Sequence, residues 1–144
     1  MIDINYSLRI AYFAALNHCV EGVPAFYQAL PGTISPDQYI VFRSITNTDA
    51  STCNTSDTNT QITVEIHTFT DGSNSGLSAD LVAREVFNRI LPNPSGVLDI
   101  DGAQIVSTRL LNDVVQDAVI EGNRTYISRY LTFGHKIFHR SDIS

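Results

Sequence analysis

The chain is predicted to fold as an α+β domain, a mostly antiparallel sheet with two helices packed on one face. Three observations predict it. Two stretches repeat apolar residues at spacings of three and four. Several others alternate apolar with polar residues, or are rich in β-branched and aromatic side chains. The segments between them are made of turn-forming residues. No internal repeat or shift in composition divides the 144 residues, so 1–144 reads as one domain.

The first helix is expected over Ile4 to Val20, where Ile4, Leu8, Tyr12, Leu16 and Cys19 form one apolar stripe. Asp3 is its expected N-cap, and Gly22 and Pro24 end the pattern. Ala25 to Leu30 is a short aromatic segment compatible with a strand, closed by Pro31-Gly32. Gln38 to Asn47 reads as a strand, and Thr60 to Thr70 as the clearest one: Ile62, Val64 and Ile66 point one way, Thr63, Glu65 and His67 the other. Between them, Thr48 to Asn59 is almost entirely Thr, Ser, Asn and Asp. Those side chains compete for backbone hydrogen bonds, so the expectation is a loose polar hairpin tip.

After the loop Asp71 to Leu77, Ser78 is expected to cap a second helix running to Leu91. Val82, Val86, Phe87, Ile90 and Leu91 face the core, and Pro92 and Pro94 stop it. Val97 to Ile100 and Ala103 to Leu111 read as strands. Leu110 to Gly122 is open between an edge strand and a bent connection. Asn123 to Phe133 is a further strand, with Arg129, Leu131 and Phe133 on one face and Tyr126 and Tyr130 on the other, and it continues toward Phe138.

Composition narrows the function. Hydrophobic residues make up 43% and charged residues 17%, enough apolar surface to offset the entropy of ordering. The net charge is −6 and the nine Lys and Arg are scattered, which argues against binding nucleic acid by phosphate neutralisation. No apolar run approaches the roughly 18 residues of a membrane span. The amino-terminal stretch has no cationic leader, with Asp3 where a signal peptide wants Lys or Arg, so a soluble protein made in a cytoplasm is expected. In that compartment Cys19 reads as a core thiol, Cys53 as a loop residue, and a disulfide between them is disfavoured. Without secretion, the sequons at Asn5, Asn54 and Asn123 are accidental.

No catalytic constellation emerges. There is no nucleophile elbow, phosphate-cradling Gly loop or Cys-x-x-Cys pair. His135 and His139 are four apart, but on extended chain that spans roughly 13 Å, too far to share an ion. They are expected at the surface, as is His67, either in solvent or at a subunit contact. Asp99 and Asp101 lack the other ligands of a calcium loop and read as turn residues. Asp49 and Asp57 read as solvated loop residues. Catalytic, cofactor-binding and metal residues are therefore expected to be none. Tyr126, Arg129 and Tyr130, types favoured at protein interfaces, are candidates for a subunit contact, with covering of the chain's own helices as the alternative for the tyrosines. His67 and Asp57 join them as interface candidates.

The order of elements resembles the tail-completion proteins of tailed bacteriophages, the group that includes the tail terminators. The resemblance is carried by VPAFY (Val23 to Tyr27), QYIVF (Gln38 to Phe42), ITVEIHTFT (Ile62 to Thr70), SADLVAREVFNRIL (Ser78 to Leu91), AQIVSTRLL (Ala103 to Leu111) and TYISRYLTF (Thr125 to Phe133). It covers nearly the whole chain and rests on pattern, with no diagnostic motif. It implies a non-enzymatic virion protein, assembled in the host cytoplasm, that forms a ring of its own copies, six-fold in long-tailed relatives. The ring sits at the head-proximal end of the tail, ends polymerisation of the tail-tube protein and joins the head connector or head-completion protein. DNA would pass through the lumen as non-specific cargo, and an acidic wall would not hold it. No cofactor or membrane belongs to this role. A head-tail adaptor or head-completion ring of the neck is the alternative, and a small α+β enzyme or ligand-binding domain a third. The polar tip at Thr48 to Asn59 would order, or line the lumen, in the ring.

Overall fold

The computed structural model describes residues 4–28, 37–51, 57–70, 75–91 and 103–139. Helix α1 (Ile4–Leu16) leads to β1 (Ala25–Tyr27), β2 (Gln38–Asp49) and β3 (Asp57–Thr70). Helix α2 (Ser75–Ile90) is followed by β4 (Ala103–Val115), β5 (Val119–Glu121) and β6 (Arg124–His139). The sheet order is β1-β2-β3-β6-β4, with β5 also pairing with β6. The α+β expectation fits, but the sheet is mixed: β1 runs parallel to β2, and the other pairings are antiparallel.

Alternation builds one core. Ile40 and Phe42 of β2, Ile62, Val64 and Ile66 of β3, Leu131, Phe133 and Ile137 of β6, and Ala103 and Ile105 of β4 face the same way. Leu8, Tyr12, Ala15 and Leu16 of α1 and Val82, Ala83, Val86 and Ile90 of α2 close over them. Helix α1 packs on β1 and β2 and touches α2, whereas α2 packs on β3 and β6. Both helices therefore lie on one face; the other face is open.

Several boundaries differ from expectation. Helix α1 ends at Leu16, four residues short of Val20, because His18 takes a left-handed conformation (φ 57°) that breaks the helix. The Asn17 side chain then accepts a hydrogen bond from the Ala25 backbone N–H at 3.1 Å, tying the helix end to β1. Helix α2 starts at Ser75, so Ser78 lies inside its first turn and is not its N-cap.

Strands β2 and β3 reach into the expected polar tip: Thr48 pairs with Asn59 and Asp49 with Thr58, so five of the twelve residues from Thr48 to Asn59 are strand. Cross-strand pairing satisfied backbone groups that the Thr- and Asn-rich composition had assigned to turns. Asp57 is accordingly a buried first residue of β3, not a solvated loop residue. The open segment Leu110 to Gly122 resolves into the end of β4, a break, and β5, with Gly122 (φ 63°) turning the chain into β6. Asp99, Asp101, Pro92, Pro94, Cys53 and the Val97 to Ile100 strand lie outside the described residues.

Candidate assembly surfaces

Two histidines expected at the surface are buried, on opposite faces of the sheet. His135 lies under the helices. Its Nε2 is 2.5 Å from the Tyr12 hydroxyl and its Nδ1 2.9 Å from the Thr108 hydroxyl. A neutral imidazole satisfies both, accepting from one hydroxyl and donating to the other. Burial pushes its pKa down to about 4 and raises that of the fully buried Tyr12. The side chain of His139 is outside the described set.

On the open face, His67 is buried among aromatic and charged neighbours. Its Nε2 donates to the Glu65 carboxylate at 3.0 Å, and its Nδ1 meets the Tyr126 hydroxyl. Arg43 pairs with the other Glu65 oxygen. Burial alone would raise the Glu65 pKa, but the hydrogen bonds from His67 and Arg43 outweigh it and hold the carboxyl below its ordinary value. Tyr39 and Tyr126 stack on either side of His67, at centroid distances of 4.8 and 5.8 Å, and Tyr130 meets it edge-on at 6.3 Å. Phe69 stacks on Tyr126 at 4.5 Å, with the Arg124 guanidinium 4.8 Å above Phe69. A ladder of rings therefore crosses β2, β3 and β6. Farther along β3 and β6 lies a groove of about 390 Å³ lined in part by Asn59, Gln61, Arg109, Leu111 and Lys136.

The sequence candidates fall into three places. His67, Tyr126 and Tyr130 come together in the open-face ladder, so the tyrosines do not cover their own helices. Arg129 points to the helix side, where it binds Asp113 through two nitrogens (2.9 and 2.7 Å) and Asp80 of α2 at 2.9 Å. Asp57 is ten residues from His67 along β3, roughly 33 Å on extended chain. Sequence reasoning missed Tyr39, Arg43 and Glu65; the available signal was the i, i+2 placement of Glu65 and His67 on one strand face.

It also missed two exposed apolar surfaces. Leu110, Leu111, Val114, Val115, Val119 and Ile120 line the edge formed by β4 and β5, and Ile120 is 77% exposed. Near the other edge of the sheet, Tyr6, Ile10 and Phe13 of α1 border a groove of about 340 Å³, completed by Arg9, Tyr27 and Phe42. No group of residues suited to holding a metal ion occurs among the described residues.

No family model and no curated protein sequence matches the chain. Among solved structures, one chain of the "Virion of native gene transfer agent (GTA) particle" shares its fold, with a TM-score of 0.68 at 17% identity. The match covers 96% of this chain and 99% of that chain.

Proposed function

We propose that the chain is a non-enzymatic structural protein of a phage-like virion, forming a ring at the head-proximal end of the tail. In that position it ends growth of the tail tube and joins the tail to the head connector. The observation that carries the reading is the end-to-end fold likeness to a chain of an assembled virion particle. The exposed aliphatic edge of β4 and β5 supports it, because apolar surface of this extent on a small chain marks a protein contact. The partners of such a ring are its own copies, the tail-tube protein and the head-completion protein, with DNA only as cargo. Six copies are expected if the ring follows the symmetry of the tube.

Loss of the gene tests the reading. Particles assembled without the protein should show tails of uncontrolled length that are not joined to filled heads, as seen by electron microscopy. Tails of normal length attached to heads would overturn it. Counting subunits in purified rings separates the terminator from a neck ring, which would follow the symmetry of the portal.

A further inference from the structure

We infer that the β4–β5 edge of one copy seats against the α1 groove of the next, so that the ring closes through two different surfaces of the same chain. The inference rests on the ring reading above and names its contact.

The two surfaces are both apolar and are complementary in position and charge. Along Ala103 to Val106, β4 alternates between buried and exposed residues, as a strand with one covered face should. From Arg109 through Ile120 every residue is exposed, and the aliphatics fall on both faces: Leu110 pairs with Phe133 on the helix side, and Val114 with Tyr130 on the open side. A ribbon that carries exposed aliphatic side chains on both sides is covered only by something that grips it. The α1 groove offers a concave apolar bed, at the end of the sheet away from β4. A contact between unlike patches at opposite ends of a subunit repeats head to tail and closes into a ring when the rotation allows. Among the described residues the only charged one lining the groove is Arg9, whose guanidinium lies 4.2 Å over the Tyr27 ring. The exposed link between β4 and β5 carries Asp117, of opposite sign.

Side chains, and not added strand pairing, carry the contact. The β4 ladder is interrupted twice, between Ile105 and Ser107 and between Leu110 and Asn112. Each bulge bends the strand and breaks the row of backbone groups that a neighbouring strand would need.

The test uses two variants of the full chain, Ile10→Glu in the groove and Ile120→Glu on the edge. Both positions are more than half exposed, so both variants should keep the fold, checked by circular dichroism. Sedimentation should show rings for the unmodified chain and monomers for each variant alone. Mixed one to one, they should form a dimer and nothing larger, because the Ile10→Glu copy keeps its edge and the Ile120→Glu copy keeps its groove. Rings formed by either variant alone, or a mixture that stays monomeric, would overturn this contact while leaving the ring reading intact. An edge gripped by another protein, or by the same edge of a second copy, would show as an Ile10→Glu chain that behaves like the unmodified one. An unmodified chain that stays monomeric at all concentrations would overturn the contact and the ring together.

Discussion

The two faces of the sheet each bury a histidine against a tyrosine, and they stabilise it by opposite means. Under the helices, the hydrogen-bond partners of His135 among the described residues are hydroxyls, and burial holds its pKa down. On the open face, His67 sits between rings and shares the buried Glu65 with the partly exposed Arg43. Burial without a charged partner keeps an ionisable group neutral, whereas a buried carboxylate such as Glu65 keeps its charge when hydrogen-bond donors and a cation surround it.

The sharpest way to break this contrast is truncation. Tyr12→Ala should cost about 4 kcal/mol, combining lost burial, a cavity and an unsatisfied imidazole, whereas Tyr39→Ala on the open face should cost about 1 kcal/mol at most. Urea unfolding of both variants measures the difference; equal losses would erase the distinction between the faces.

Acidification separates them next. The folded pKa of His135, about 4, lies below its ordinary value of 6.5. The unfolded chain therefore takes up this proton first, and stability falls as pH drops from 6.5 toward 4, levelling off below. The full loss is about 3 kcal/mol. Glu65 has a lowered folded pKa, so its contribution is present above the ordinary carboxylate value and is lost only at more acid pH, as its folded pKa is passed. Stability measured across this range should show the earlier slope in the unmodified chain and lose it in His135→Gln. An unchanged slope would remove His135 as its source.

The smallest effect is expected at Arg43, whose side chain is 44% exposed. Arg43→Ala should lower stability by under about 1 kcal/mol, and less at high salt, because water reaches the guanidinium and His67 still donates to Glu65 in the variant. A loss several times larger in thermal unfolding would mean that His67 alone does not hold the buried Glu65 charge.

How much of this was legible follows from the same contrast. Helices and strands were readable wherever one face is buried, as in Ile62, Val64 and Ile66, because period follows burial. The distal half of β4 was not, since Leu110, Leu111, Val114 and Val115 break alternation on an edge exposed on both sides. His135 was misplaced because its partners, Tyr12 and Thr108, come from elements 123 and 27 residues away. Asp57 was misplaced because local composition reads as a turn, whereas pairing with Phe138 of β6 makes it a strand. Of the five interface candidates, three were brought to one cluster by strand register, which the sequence does not specify until the pairing is known. The α1 groove was hidden because Tyr6, Ile10 and Phe13 look like ordinary surface exceptions until Tyr27 is placed beside them.

The two bulges in β4 also bear on what happens to copies made in excess. Amyloid-like fibres grow by laying straight, uninterrupted strands against one another, and a long apolar edge invites that growth. Kinks within six residues of each other leave no flat stretch long enough to seed a cross-β stack. The β4 edge is thereby a poor template for a cross-β stack.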